Sequence, residues 1–136
     1  MHAAFNGVKV ALIKGDDILV IQRDNKPGLQ YAGMWDLPGG GREGDETSFH
    51  CAAREIHEEL GIALRPRAVQ AQKAYPVRAS GHAAYFMVAT ITDEDIDHIV
   101  FGDEGQGWKM MPIEDFMASP NVVGVLKTRL QDLYCL

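Results

Sequence analysis

A glycine-rich turn followed at short distance by an acidic helix is the feature that most constrains the fold. The turn is Leu37-Pro38-Gly39-Gly40-Gly41, a pattern that fits neither a regular helix nor a strand interior. A helix is predicted from an N-cap at Asp45 to about Leu60, with Gly61 ending it. Its predicted buried stripe consists of apolar residues at helical spacing: Phe49, Ala52, Ala53, Ile56 and Leu60. One face of the helix therefore belongs to a core, and the other is free for chemistry.

Three glutamates, Glu55, Glu58 and Glu59, share the face opposite that stripe. Like charges at this spacing repel by about 0.2–0.5 kcal/mol per pair, and the helix dipole disfavours anions at the C-terminal end by roughly 0.3–1 kcal/mol each. An isolated acidic pair is ordinarily a solvated surface. Three carboxylates in this unfavourable place, after a glycine turn, instead predict oxygen ligands for Mg²⁺, with Mn²⁺ as the alternative.

Glu46 and Arg54 fall on nearly the same stripe of the predicted helix. Arg54 can therefore pair with acids at the helix start or orient Glu55 and Glu58, which would fix the ligands. An ordinary surface ion pair is the competing interpretation and would contribute little. The backbone groups of the glycine turn can approach a metal or a phosphate closely, because no side chain intervenes.

The rest of the chain predicts alternating strands and helices in a single domain over residues 1–136, with a mixed sheet and helices packed on it. Asn121 is a candidate cap for the last helix. The predicted elements are a hairpin of residues 8–13 and 18–23 around turn 15–17, a loop at 24–34, strands at 68–75 and 83–91 around turn 76–81, an acidic loop at 92–97, a strand at 108–111, a helical turn at 112–117, and an amphipathic helix at 122–133.

Composition and charge argue against several classes of function. The formal net charge of -6 disfavours binding to nucleic acid polymers or anionic membranes. The two cysteines, Cys51 and Cys135, form no zinc-binding pattern and are expected to be reduced thiols. No apolar run approaches the roughly 20 residues of a membrane span, and the N-terminal residues read as a strand rather than a signal peptide. A cytoplasmic protein is expected.

Together these residues resemble the Nudix hydrolase family, whose box is GX5EX7REUXEEXGU, where U is a bulky aliphatic residue. Every specified position matches, with a chance probability on the order of one in a billion per window. The matching residues are Gly40, Glu46, Arg54-Glu55-Ile56, Glu58-Glu59 and Gly61-Ile62. Outside the box, the segments ILVIQR, MWDLPGGG and DEGQGWKMMPIEDF are similar to the MutT-like branch, so the resemblance covers most of the chain.

The resemblance implies an α/β/α sandwich around a central mixed sheet. It also implies that Glu55, Glu58 and Glu59 bind metal together with the Gly39 carbonyl, and that Glu104 adds a ligand or acts as base. Which carboxylate is the base, and how many metal ions bind, stay open. The implied chemistry is water attack on phosphorus in a nucleoside diphosphate linked to a group X. For a triphosphate, the products would be a monophosphate and pyrophosphate.

The resemblance suggests several substrate contacts. Arg23 and the Gly40 backbone would meet phosphate. The MutT-like branch often has lysine where this chain has Gly41, and Arg42 is the candidate substitute. Asn121 resembles a base-recognising residue, although capping a helix is the simpler role. Four aromatic residues are candidates for stacking on a base or for packing in the core: Tyr31, Trp35, Tyr85 and Phe86.

Three functions stay open at this point. The favoured one is a housecleaning, MutT-like pyrophosphohydrolase that acts on a nucleoside triphosphate. The second is a nucleotide-sugar or dinucleotide hydrolase, and the third is a nucleotide sensor without turnover. The complete set of carboxylates argues against the sensor. The expected partner is a small-molecule nucleotide, and the sequence leaves a homodimer undecided.

Overall fold

The computed structural model describes residues 4–77 and 81–134. These residues contain a seven-stranded sheet, four α-helices and a 3-10 turn at Pro66–Ala68. The strands are β1 (Phe5–Lys14), β2 (Asp17–Gln22), β3 (Trp35–Asp36), β4 (Gly39–Gly41), β5 (Val69–Pro76), β6 (Ala83–Thr90) and β7 (Gly107–Pro112). The helices are α1 (Ser48–Leu60), α2 (Asp93–Asp97), α3 (Ile113–Ala118) and α4 (Gly124–Leu133).

The first two strands form the predicted hairpin, but they pair only near its turn, where Ile13 lies opposite Ile18. Beyond that pair the two strands separate. The segment that follows fills the gap, since β3 pairs with the end of β2 and β4 pairs with the start of β1. β6 runs parallel to β1, and the other strand pairs are antiparallel. The mixed sheet predicted from the sequence is therefore confirmed.

Both faces of the sheet are covered, as the predicted α/β/α sandwich requires. Side chains alternate along β1, with Val10 and Leu12 packed towards α1 and Ala11 and Ile13 packed towards α3 and α4. On the α1 side the helix contributes Cys51, Ala52, Ile56 and Leu60, all fully buried. On the opposite side the largest buried residues include Phe86, Phe116 and Leu130.

Helix α1 begins two residues later than predicted from the acid at position 45. Its N-cap is Thr47, whose side-chain oxygen accepts a hydrogen bond from the backbone N–H of His50. The prediction of Asp45 as the cap was wrong, because Asp45 lies in a turn in which the Glu46 N–H donates to the Glu43 carbonyl. The predicted end is confirmed, since Gly61 adopts a left-handed conformation with φ 72°.

The buried stripe of α1 also differs in detail from the prediction. Cys51 is fully buried and was not assigned to the stripe, whereas Phe49 and Ala53 are only partly buried. The predicted positions Ala52, Ile56 and Leu60 are confirmed. The prediction that the carboxylates lie opposite this stripe was wrong for two of them, because Glu55 and Glu59 are partly buried against the glycine turn, whereas Glu58 is exposed.

Two other local predictions were wrong. The acidic segment predicted as a loop forms α2, because Thr92 and Asp95 make a capping box and the acids favour a helix N-terminus. The glycine turn, predicted to lie outside regular structure, contains the short strand β4. Close approach explains this: a Cβ at Gly39 would lie 2.0 Å from the Val8 carbonyl oxygen, so only glycine can pair there.

The end of the chain requires one further correction. α4 starts at Gly124 with Val123 at its N-cap position, so Asn121 does not cap the helix.

Residues 78–80, inside the predicted 76–81 turn, and Cys135 lie outside the described residues. None of the described helices is both long and apolar enough to cross a lipid bilayer.

Candidate active site

The glutamate face of α1 packs against the backbone of β4. The Gly39 N–H donates to Glu59 Oε1 at 2.8 Å. The Glu55 carboxyl group lies directly against Gly40, where an added Cβ would come within 2.4 Å of Glu55 Cδ. Because the glycines have no side chains, the carboxylates of Glu55 and Glu59 can approach the backbone of the turn closely.

Arg54 ties the start of α1 to its carboxylate end. Its guanidinium donates to both oxygens of Glu46 at 2.8 and 3.0 Å, to Glu55 Oε1 at 2.9 Å and to the Gly41 carbonyl at 2.8 Å. Glu58 lies farther away, at 3.4 Å. The hydrogen bonds from Arg54 lower the pKa of Glu46 to about 2 and thereby keep it ionised. The contacts expected between Arg54 and these acids are present.

Burial has the opposite effect on the carboxylates nearer the turn. It raises the pKa of Glu59 to about 7, although the Gly39 N–H and the Lys9 ammonium partly oppose the rise. Burial also raises the pKa of Glu55; hydrogen bonding to Arg54 lowers it in part, and the negative charges of Glu58 and Glu104 raise it further. Both carboxyl groups therefore lie in a poorly solvated place, where nearby negative charges add to the rise of their pKa values.

Glu104 approaches the same carboxylates from the segment between α2 and β7. Together, Glu55, Glu58, Glu59 and Glu104 form what we call the acidic cluster, which lines a cavity of about 500 Å³. Glu43 and Asp103 also line this cavity. Sequence reasoning missed these two acids, because neither shares a helix face with the others.

The donors of the acidic cluster fit a hard divalent cation, which prefers carboxylate and carbonyl oxygens. Within residues 4–77 and 81–134, no three His, Cys, Asp or Glu side chains converge into a ready-made metal site. Local donors hold three of the four carboxylates: Arg54 holds Glu55 and Glu58, and the Gly39 N–H holds Glu59. All four carboxylates of the acidic cluster line one cavity.

A second charged group lies on the other side of the glycine turn. Asp36, only 6% exposed, accepts hydrogen bonds from Lys9 Nζ and Arg23 Nη1, each at 3.0 Å. Lys9, Arg23 and Asp36 are called the Asp36 cluster below. Sequence reasoning selected Arg23 but missed Lys9 and Asp36. The available signal was a lysine inside the apolar run VKVALI, at a position where strand β1 should be buried.

An apolar cavity of about 430 Å³ opens beside the Asp36 cluster, between β1, the loop after β2, and α4. Four predicted substrate residues line it: Arg23, Tyr31, Gly40 and Tyr85. Of these, Tyr31 is 44% exposed and has a φ of 57°, a strained value for a non-glycine residue. Phe86 is fully buried and belongs to the core.

Three other predicted substrate residues do not line this cavity. Arg42 donates to the Glu46 carbonyl and stacks on the Phe5 ring at 4.5 Å. Trp35 pairs with β2 and lies under the Lys109 ammonium. Asn121 is exposed, and its carbonyl accepts a hydrogen bond from the Trp35 N–H.

Comparison with known proteins agrees with this fold and identifies the family. The profile described as the NUDIX domain matches residues 4–131. The chain belongs to the NUDIX family. In fold, this Nudix chain is similar to the MutT protein from Methanosarcina mazei, with a TM-score of 0.69, 19% identity, and coverage of 97% of this chain and 94% of that one. Nudix hydrolases generally use divalent metal ions.

Curated relatives match over a shorter region. The putative 8-oxo-dGTP diphosphatase 2 of Mycobacterium tuberculosis is 44% identical over 59 residues, 43% of this Nudix chain and 40% of that protein. The RNA pyrophosphohydrolase of Erythrobacter litoralis is 36% identical over 63 residues, 40% of this chain and 38% of that protein. The matches therefore span about 40% of the length of these relatives.

Proposed function

We propose that this Nudix protein is a metal-dependent pyrophosphohydrolase that converts a nucleoside triphosphate to a monophosphate and pyrophosphate. The observation that carries the proposal is the position of Gly40. This residue lines both the apolar cavity and the cavity of the acidic cluster. A nucleotide with its nucleoside in the apolar cavity can therefore extend its phosphates past the glycine turn to the carboxylates.

The acidic cluster and the Gly39 carbonyl would hold the metal, with Mg²⁺ as the proposed ion and Mn²⁺ as the alternative. A bound divalent cation neutralises phosphate oxygens and makes a water molecule more acidic. Arg54 fixes Glu55 through its 2.9 Å hydrogen bond, and the Gly39 N–H fixes Glu59. These contacts prevent the repelling carboxylates from turning away into solvent, which preorganises the site for charge that develops on phosphate.

In the proposed reaction, the oxygen of a water molecule attacks phosphorus, and the bond between that phosphorus and the bridging anhydride oxygen breaks. The bridging oxygen leaves with the electron pair, and a carboxylate of the acidic cluster accepts the proton of the water. Arg23 and the Gly40 backbone would bind phosphate, and Tyr85 would contact the nucleoside. Contacts of substrate with Trp35, Arg42 and Asn121 stay predictions, since their side chains lie outside the apolar cavity.

The nucleoside triphosphate class is supported by two observations. The apolar cavity, at about 430 Å³, falls within the size range of small-molecule sites. A relative that shares 44% identity over 59 residues is named as a putative 8-oxo-dGTP diphosphatase. Oxidised and unmodified purine nucleoside triphosphates are therefore the first compounds to test.

A hydrolysis screen with Mg²⁺ or Mn²⁺ tests this proposal. It should include dGTP, 8-oxo-dGTP, dATP, a nucleotide sugar, ADP-ribose and a dinucleotide, with products identified by chromatography. We expect pyrophosphate and a monophosphate from a triphosphate. Release of a sugar phosphate as the main product would favour nucleotide-sugar hydrolysis instead. Tight nucleotide binding without turnover of any compound would favour a sensor.

Matched variants test the role of the acidic cluster in the same assay. Glu58→Gln and Glu59→Gln should each lower kcat by orders of magnitude, whereas the folded state should persist. Glu94→Gln is the control, because Glu94 is an exposed helical glutamate on α2, outside the acidic cluster. Rates equal to wild type in both cluster variants would contradict the proposed function.

A further inference from the structure

The Asp36 cluster brings two cations to one buried carboxylate. Lys9 Nζ donates to Asp36 Oδ2 at 3.0 Å and to the Leu37 carbonyl at 3.3 Å, and Arg23 Nη1 donates to the same Oδ2. The second oxygen, Asp36 Oδ1, accepts the Leu37 N–H at 2.7 Å. One carboxylate thus compensates only one of the two cations.

The separation of β1 from β2 explains how this charge is positioned. Lys9 lies on β1 opposite Gly39, Arg23 follows the end of β2, and Asp36 lies on the short strand between them. A lysine within a buried strand is costly unless its ammonium group is paired. Asp36 supplies that pairing and holds the Lys9 ammonium group at one place.

Lys9 lies between the two halves of the proposed site. It lines the apolar cavity and also a neighbouring polar cavity of about 450 Å³, which Glu59 and Glu104 line as well. Arg54 is engaged with Glu46, Glu55 and the Gly41 carbonyl, and Arg42 stacks on Phe5 in another part of the surface. Neither arginine is therefore positioned to meet a phosphate that leaves the apolar cavity.

The ammonium group of Lys9 retains the capacity for a further bond. It has three N–H donors, and two are directed to Asp36 and Leu37. Its side chain is 32% exposed, and no third acceptor contacts it among the described parts of the chain, residues 4–77 and 81–134. We propose that Lys9, held by Asp36, binds the phosphate attached to the nucleoside and so sets its position relative to the acidic cluster. This assignment rests on the proposed function, because it takes the apolar cavity as the nucleoside site.

Binding of dGMP and deoxyguanosine by calorimetry, with EDTA present, separates a phosphate contact from a structural role. Wild-type protein should bind dGMP more tightly than deoxyguanosine. Lys9→Met should weaken dGMP binding by about tenfold or more and leave deoxyguanosine affinity within about twofold, because a hydrogen bond to a charged group is lost. Lys9→Arg should restore much of the affinity for dGMP, since it retains the cation.

Lys14→Met is the matched control. Lys14 lies on the same strand, but its ammonium faces Asp93 at 3.6 Å on the surface. The Lys14→Met substitution should leave the affinities for dGMP and deoxyguanosine unchanged. Thermal melting should show that every variant is folded. Three results would overturn the assignment: wild-type affinity for dGMP in Lys9→Met, equal loss of both ligands in that variant, or wild-type protein that binds dGMP no better than deoxyguanosine. Hydrolysis by the wild-type protein tests the proposed function separately, because it does not depend on these affinities.

Discussion

Replacing Glu59 with glutamine should stabilise the metal-free protein at pH 8. Burial raises the pKa of Glu59 from its ordinary 4.5 to about 7. Above that pH the carboxylate is ionised in the folded state, and its buried charge lowers the free energy of unfolding. Glutamine removes the charge and retains an oxygen that can accept the Gly39 N–H, which donates to Glu59 Oε1 at 2.8 Å. The substitution therefore relieves the cost without losing the local hydrogen bond.

The size and sign of the effect follow from proton linkage. At about 1.4 kcal/mol per pH unit, the rise from 4.5 to about 7 corresponds to a penalty of about 3 kcal/mol when both states are ionised. The unfolded chain loses its proton near pH 4.5 and the folded protein near pH 7. The penalty therefore grows between these values, is complete above pH 8 and vanishes below pH 4. Relaxation of the side chain towards solvent lowers the expected gain for Glu59→Gln to about 1–3 kcal/mol.

Urea unfolding in EDTA at a series of pH values from 4.5 to 8 measures this gain. The difference in unfolding free energy between Glu59→Gln and wild type should increase with pH and level off near pH 8. Glu94→Gln is the matched control, because Glu94 is an exposed helical glutamate outside the acidic cluster. A Glu59→Gln protein that is no more stable than wild type at pH 8, or a gain that does not vary with pH, would refute the reasoning.

Three further outcomes are expected. Saturating Mg²⁺ should raise the melting temperature of wild type, because binding at a hundredfold excess over Kd stabilises the folded state by about 2.7 kcal/mol. The melting temperature of Glu59→Gln should rise less, and equal shifts of the two proteins in differential scanning fluorimetry would contradict the metal assignment. Gly40→Ala should displace Glu55 from the turn and lower kcat on the order of a hundredfold in steady-state kinetics, and full activity would be the contrary result. The control is Gly41→Ala, whose melting temperature should be close to that of wild type, because its Cβ would meet only the Asn6 carbonyl oxygen at 3.9 Å. In urea unfolding, Thr47→Ala should lower the free energy of unfolding by about 1 kcal/mol, and Asp45→Ala should lower it by less than about 0.5 kcal/mol. The reverse order would argue against Thr47 as the cap.

The part of the site that lies on one helix could be predicted from the sequence. Spacing along α1 places Glu55, Glu58 and Glu59 on one face, because helical periodicity depends only on local sequence. The same local argument predicted the end of α1 at Gly61. Its start was predicted less well, since both Asp45 and Thr47 have side chains that can cap a helix, and the choice depends on the turn before it.

The Asp36 cluster could not be predicted in this way. Lys9 lies 27 residues before Asp36 in the chain, and Arg23 lies 13 residues before it. The three residues meet only because β1 and β2 separate and β3 enters between them. That arrangement depends on strand pairing over long distances, about which the local pattern carries little information. The helical structure of α2 was predictable in principle, since Thr92 and Asp95 show the spacing of a capping box.

Gly40 touches two cavities whose walls come from different parts of the chain. The outer wall of the apolar cavity is formed by the loop after β2 and by α4, whereas the carboxylates come from α1 and from the segment that carries Glu104. If the proposed function holds, substitutions at Tyr31, Val125 or Arg129 would therefore reshape ligand selection without moving the reacting groups. In evolutionary terms, we therefore expect selectivity and bond cleavage to be separable traits in this protein, so that new selectivities can arise while the chemistry is conserved.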